Sequence, residues 1–431
     1  MSGAVLRSPY DHQVILPELT AAGVDAAAAL LEGVVRRTPL EESARLSALV
    51  GAPVLLKRED QQAVRSYKIR GAHHLISTLT AAERARGVVC ASAGNHGQGV
   101  AHSCAELGIG ARVYVPGSTP RQKRQRILAL GRGRVELIVA GSTYDEAEAA
   151  ARADAAATGA VRVHPFDDAR TILGQGTVAR ELAGQTDHPL HTVVVPIGGG
   201  GLAAGTALWL RANRPGVRVV GVEPAEAPSM TAALAAGGPV ALGEFDGFVD
   251  GAAVGRVGDL TYPLVRDLVD EVVTVSAGAV CTEMLELYQV EGIIAEPAGA
   301  LASTAVQALA GTVPEGQAVV CVLSGGNNDV SRYADIVERS LIHLGLRHYF
   351  LVTFPQEPGA LRHFLDDVLS ETEDIVVFEY VKKNNRETGP ALVGLELDQA
   401  ADLGPLLSRM HASPLGIEQV PPGSPLFAFL T

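Results

Sequence analysis

Between residues 88 and 323, short apolar and β-branched runs alternate with stretches of helical spacing. This alternation narrows the possible folds more than anything else in the chain. The runs at 88–91, 112–115, 135–139, 161–163, 192–196, 218–222, 271–275 and 318–323 read as strands. Segments 96–107, 122–130, 144–157 and 172–182 carry the apolar spacing of helices. Strands separated by helices of that length specify a parallel sheet covered on both faces. The expected class is α/β with two such sheets, the stretch from about 57 to 165 forming the smaller lobe. Upstream, residues 18–50 read as two helices broken at Thr38-Pro39, and 54–56 as a short strand. Residues 67–86 read as one helix carrying Ile69, Ala72, Leu75, Ile76 and Leu79.

Near residue 345 the pattern changes. A strand at 347–354, a helix at 359–369, strands at 375–381 and 391–397 and a helix at 401–410 are followed by an apolar tail, Phe427-Ala428-Phe429-Leu430. That is the order of a ferredoxin-like α+β unit. It holds no cluster of candidate catalytic groups, so the chemistry is expected in residues 1–346 and a separate module in 347–421.

A chain of 431 residues, 47% hydrophobic, can bury more than one core. Its net charge of −13 and its 4% aromatic content argue against a phosphate-tracking groove with stacking platforms, and against anionic membranes. Cys90, Cys104, Cys281 and Cys321 lie too far apart for a zinc or redox pair. No apolar run approaches about 18 residues, and Met1 to Glu18 lacks a signal-like pattern, so the expectation is a soluble, cytoplasmic protein.

There are 30 arginines but only five lysines: Lys57, Lys68, Lys123, Lys382 and Lys383. Arginine never offers a free amine, so a retained lysine hints at chemistry. Lys68, in Ser66-Tyr67-Lys68-Ile69-Arg70-Gly71, opens an apolar helix, where partial desolvation frees an amine to form an imine with a carbonyl cofactor. Lys57, in the charged run Lys57-Arg58-Glu59-Asp60, is expected to be solvated.

Three further stretches each come directly after a strand. Gly198-Gly199-Gly200-Gly201-Leu202 links a strand to a helix start, where free N–H groups and the positive helix end suit a phosphate dianion. Glycines there allow close backbone approach. No Gly-Lys-Ser/Thr succeeds it, so this is not a P-loop, and it comes too late for a dinucleotide turn. In Ser92-Ala93-Gly94-Asn95-His96, backbone N–H groups could hold a carboxylate and the Asn95 amide a phenolate oxygen, although the stretch alone reads equally well as an ordinary turn. Ser324-Gly325-Gly326-Asn327 ends a strand at the carboxyl edge where α/β ligands bind. A serine hydroxyl can donate to a pyridine nitrogen without fully protonating it, which leaves a mild electron sink suited to elimination.

These four motifs in this order resemble the tryptophan synthase β family of pyridoxal phosphate enzymes, fold type II. Ser66 to Gly71 and Ser92-Ala93-Gly94-Asn95-His96-Gly97-Gln98-Gly99 look like the threonine ammonia-lyases (threonine dehydratases) rather than the cysteine synthases. The resemblance covers roughly residues 15–345, while 347–421 look like the single ACT-like regulatory module of the biosynthetic forms. It implies that Lys68 holds pyridoxal 5'-phosphate as an imine and that Asn95 contacts the ring hydroxyl. It also implies that Gly198 to Leu202 bind the phosphate, that Ser324 meets the ring nitrogen, and that Ser92, Gly94 and His96 contact substrate. The implied reaction turns L-threonine into 2-oxobutanoate and ammonia, in a homotetramer restrained by L-isoleucine. Serine racemases place a serine at the position of Ala93, so racemisation is expected to be poor. They also use an acidic pair for a cation where this chain has Glu223 and Ser229, so no metal is expected. An L-serine ammonia-lyase, a racemase-like enzyme and a non-catalytic amino-acid sensor are the alternatives.

Overall fold

The computed structural model describes residues 18–380, 387–422, 424, 426 and 427. The strands are β1 (Leu40–Glu42), β2 (Val54–Arg58), β3 (Val88–Ala91), β4 (Ala111–Val115), β5 (Val135–Val139), β6 (Val161–Arg162) and β7 (Leu190–Pro196). They continue as β8 (Arg218–Pro224), β9 (Glu271–Val275), β10 (Ala318–Leu323), β11 (Arg347–Pro355), β12 (Glu373–Tyr380), β13 (Thr388–Leu397) and β14 (Gly416–Gln419). The larger sheet has the order β1-β2-β10-β7-β8-β9 and is parallel except for β1. The smaller, β5-β4-β3-β6, is wholly parallel. All six residues of β10 are buried, as are the last five of β7, which is why these strands read as unbroken apolar runs.

Strand β2 takes in Lys57 and Arg58, so the pairing of the smaller sheet begins only at Val88. The chain divides into two compact units, Met1–Ala277 with Glu286–Asn328, and Gly278–Leu285 with Asp329–Thr431.

The helix Lys68–Ser77 buries every residue from Ile69 to Ile76 and packs against helices Asn95–Leu107 and Ala169–Leu182. The single helix expected over 67–86 is in fact two. Thr80 accepts from Glu83 N and Glu83 Oε2 accepts from Thr80 N, a reciprocal cap that starts a new helix at Ala81–Arg86. Helices Ala169–Leu182 and Gly201–Asn213 cross at close range because Gly205 has no side chain: a Cβ there would sit 2.4 Å from Ile172 O.

Lys57 is the clearest correction to the sequence reading. It is fully buried, not solvated, because β2 is interior. Its Nζ donates to Thr38 O (2.8 Å), Glu181 Oε1 (2.5 Å) and Gln185 Oε1 (2.8 Å). Beside it, Arg70 donates to both oxygens of Glu59 (2.8 and 2.7 Å) and to Glu181 Oε2 (3.0 Å). Burial alone would raise the Glu59 carboxyl, but the Arg70 guanidinium outweighs it and holds the group below the usual range.

In the second unit the order is β12-β13-β11-β14, all antiparallel, with two helical segments making the strand-helix-strand-strand-helix-strand sequence of a ferredoxin-like unit. Phe350, Val352 and Phe354 alternate inward along β11 and meet Phe364 and Leu406 in its core. The helix expected at 359–369 is α-helical over Ala360–His363 and widens to a π-turn over Phe364–Val368. Of the apolar tail, only Phe427 falls among the described residues, and Val381, Lys382 and Lys383 lie outside them. Among the described residues all four cysteines are buried, and no helix is long and apolar enough to cross a membrane.

Removing one partner of a buried ion pair leaves an uncompensated charge, at a cost of about 3–5 kcal/mol, whereas an exposed pair contributes about 0–1 kcal/mol. Glu59→Ala is therefore expected to lower unfolding stability by several kcal/mol in a urea titration. Glu271→Ala, at the exposed partner of Arg218, should change it by less than about 1 kcal/mol.

Candidate active site

Lys68 sits in the first turn of its helix, behind Tyr67, and its Nζ donates to Pro165 O at 3.0 Å. Burial lowers its pKa to about 8, against the opposing pull of Glu296. A larger share of the amine is thus neutral near physiological pH than for an exposed lysine, and among the described residues no acid is paired with it, whereas the three acceptors of Lys57 occupy all its protons.

Consecutive residues carry the contacts from Lys68 to the glycine run. Pro165 O accepts from the Lys68 amine, and Phe166 covers the run so closely that a Cβ on Gly199 would lie 2.3 Å from its ring. Asp167 then accepts from Leu260 N (2.8 Å) and Asp259 N (3.0 Å), and the hydroxyl of the neighbouring Thr261 donates to Gly199 O (2.6 Å). Gly200 stands at φ +94° as the residue preceding helix Gly201–Asn213, a conformation that a side chain disfavours. The need for glycine here is therefore partly internal: Phe166, Thr261 and the Ala252 backbone leave no room for side chains at Gly199, Gly200 and Gly198. At the start of that helix, the N–H groups of Gly201 and Leu202 have no partner one turn back, which suits a phosphate.

On the other side, Tyr67 N donates to Ser324 O (3.1 Å) and Ser66 bridges Gly325, so the lysine stretch lies against the serine turn at the end of β10. Ser324 is buried and its Oγ donates to Ala298 O (3.1 Å). Asn327 Nδ2 donates to Asn95 Oδ1 (2.6 Å), which ties this turn to the loop after β3. In that loop Ser92 Oγ accepts from Gly94 N (3.3 Å), and Gly94 borders open space. His96 Nε2 donates to Val163 O (2.8 Å). Burial, then the nearby Lys68, pushes its pKa down to about 3, so the ring is neutral and Nδ1 remains as an acceptor.

The structure thus brings three of the sequence motifs into direct contact and joins the glycine run to Lys68 through Pro165, Phe166 and Asp167. Sequence reasoning missed one member, Glu296, a buried carboxyl whose Oε1 accepts from Asn95 Nδ2 at 2.6 Å. Its signal was the run Ile294-Ala295-Glu296-Pro297, which reads as an ordinary helix start. The site fits pyridoxal phosphate on its own chemistry: a desolvated lysine, a helix N-terminus entered through glycine, a hydroxyl at a strand end and a fixed amide. Glu223 is engaged elsewhere, accepting from Met230 N (2.6 Å) and Thr231 N (2.8 Å). Ser229 donates to Val254 O, and no group of three or more metal-ligating side chains occurs among the described residues.

The second unit holds a separate cleft of about 380 Å³, lined by Phe354, Glu357, Leu361, Arg362, Phe378 and Tyr380. It includes the turn Glu357-Pro358-Gly359, where Gly359 adopts φ +97° ahead of its helix.

Comparison with known proteins agrees with this architecture. Residues 31–325 match the family described as pyridoxal-phosphate dependent enzyme, and 338–430 match the C-terminal regulatory domain of threonine dehydratase. The biosynthetic L-threonine dehydratase of Mycobacterium tuberculosis is 56% identical over 432 residues, covering 100% of both chains. Among solved structures, the processed form of threonine deaminase isoform 2 from Solanum lycopersicum superimposes with a TM-score of 0.71 at 33% identity, covering 78% of this chain and 94% of that one. Maize serine racemase gives a TM-score of 0.68 at 32% identity, with 75% and 98% coverage. With one relative similar from end to end and both halves matched in order, the chain belongs to the biosynthetic threonine dehydratases, within the pyridoxal-phosphate dependent enzymes.

Proposed function

We propose that the protein deaminates L-threonine to 2-oxobutanoate and ammonia with pyridoxal phosphate, and that L-isoleucine restrains it through the C-terminal module. The observation that carries the catalytic reading is the contact network converging on Lys68, the buried amine with a lowered pKa. In this reading Lys68 binds the cofactor carbonyl, Asn95 its ring hydroxyl, Gly198 to Leu202 its phosphate and Ser324 its ring nitrogen. When bound, the cofactor supplies an electron-withdrawing ring that acidifies the substrate α-carbon.

The chain's own groups do the rest. With the cofactor bound, the Lys68 amine would take the substrate α-proton. The N–H groups of the Ser92 to Gly94 loop suit the substrate carboxylate, and His96 Nδ1 suits a substrate hydroxyl. The β-hydroxyl would leave as water with the proton that Lys68 has taken, and the resulting enamine would tautomerise and hydrolyse in solution to 2-oxobutanoate and ammonia. Ala93 offers no hydroxyl for proton delivery to the opposite face, which favours elimination over racemisation despite the likeness to maize serine racemase.

Residues 1–346 would form the catalytic part and 347–421 the regulatory part of a cytoplasmic homotetramer. The cleft supports an amino-acid effector: Phe354, Leu361 and Phe378 suit a branched side chain, Arg362 a carboxylate and Glu357 an ammonium group.

Borohydride reduction and peptide mapping should find the cofactor on Lys68, and Lys68→Ala should lose both label and turnover. Label on Lys57 would overturn the assignment. Gly200→Val is strained at φ +94° and crowds Thr261, with a Cβ 2.9 Å from its side chain. Loss of a charge-assisted hydrogen bond, about 1.5–3 kcal/mol, should weaken cofactor affinity at least tenfold in a fluorescence titration. Arg362→Ala should raise the isoleucine concentration needed for half-inhibition about tenfold, with uninhibited turnover unchanged. An enzyme indifferent to isoleucine would leave the module an assembly element.

A further inference from the structure

Glu296 is 5% exposed and stands just before helix Pro297–Ala305, where its N–H donates to Gly325 O at 3.1 Å. Its Oε1 lies so close to the serine turn that a Cβ on Gly325 would fall 2.0 Å from it. The same oxygen accepts from Asn95 Nδ2 (2.6 Å), while Asn327 Nδ2 donates to Asn95 Oδ1 (2.6 Å) and to Val64 O (2.8 Å). A carboxamide has one oxygen and two N–H groups. With the oxygen taken by Asn327 and one N–H by Glu296, the Asn95 amide has a single orientation and a single N–H to spare.

Several charged and titratable groups face this carboxyl. Lys68 and Tyr67 do so from the start of the lysine helix, Lys123 from helix Arg121–Gly131 and Asp250 from the segment before β9. Lys123 and Asp250 are themselves paired at 2.9 Å, so each largely offsets the other at Glu296. Burial and then Asp250 push the carboxyl up to about 7, against Asn95, Lys123 and Lys68.

We propose that Glu296 is a positioning residue of this centre: its carboxylate locks the Asn95 amide and, as the acidic neighbour of Lys68, favours the protonated form of the Lys68 nitrogen. The proposal rests on the reading that Lys68 carries the cofactor and Asn95 faces its ring hydroxyl. Glu296→Gln keeps an oxygen for Asn95 but no charge, whereas Glu296→Asp keeps the charge on a shorter arm. A nearby opposite charge moves a pKa by about 1–3 units.

The test is a pH titration of the visible absorption band of the holoenzyme. Removing the negative charge should lower the midpoint by about one pH unit or more in Glu296→Gln, with Glu296→Asp recovering at least half of that shift. Turnover should fall in Glu296→Gln with little change in KM for threonine. A Gln midpoint within about 0.3 pH unit of the native one, or Gln and Asp midpoints displaced alike, overturns the role. So does loss of cofactor from both variants, which would mark Glu296 as packing only. Asn95→Ala separates the two kinds of failure. A band that moves with Asn95→Ala but not with Glu296→Gln removes Glu296 alone, whereas a band that answers to neither removes the reading of the site as well.

Discussion

Burying charge inside a parallel sheet is costly, and the catalytic unit depends on how that cost is met around Glu59 and Arg70. Arg70 lies two residues beyond Lys68 on the same helix, and its guanidinium spans Glu59 at the end of β2 and Glu181 on helix Ala169–Leu182. Lys57, one strand position from Arg58, shares Glu181. Four charges of alternating sign therefore bind the lysine helix to the large sheet and to the helix that crosses Gly201–Asn213. Buried pairs of this kind contribute less to net stability than to a unique geometry. Here the geometry they fix is the direction from which Lys68 enters the site.

A second consequence of burial is electrical. In the space around Lys68 and Asn95 a lysine, a histidine and a carboxyl all have their ordinary protonation displaced, each with burial as its largest cause. Histidine is rendered a neutral acceptor and the lysine partly neutral, while the carboxyl is moved to the edge of ionisation. Perturbed groups gathered in one place are what proton-transfer chemistry requires, and they arise here from exclusion of water rather than from any unusual residue.

The sequence made the strands legible because their burial on both faces leaves long apolar runs, as in β7 and β10. Three of the four motifs were legible for a related reason, since each sits where a strand ends, and the fourth because its lysine opens an apolar helix. What stayed hidden was settled by distant partners. Lys57 looked solvated because Glu181 and Gln185, which satisfy it, lie 124 and 128 residues away. Glu296 meets Asn95 across 201 residues, and nothing near it in the chain distinguishes it from a helix-opening acid. The break at Thr80 was local and readable, but its mark is a polar cap, and apolar spacing runs straight through it.

Pro165, Phe166 and Asp167 serve the lysine, the glycine run and the turn that holds Thr261 in consecutive positions. Neighbouring residues on one backbone cannot be adjusted independently. A change that made room at Gly199 by shrinking Phe166 would also disturb the carbonyl one residue earlier on which the Lys68 amine rests. This tripeptide thus acts as a mechanical coupling between amine and phosphate turn, so variation in either half of the cofactor site has to arise in concert with the other.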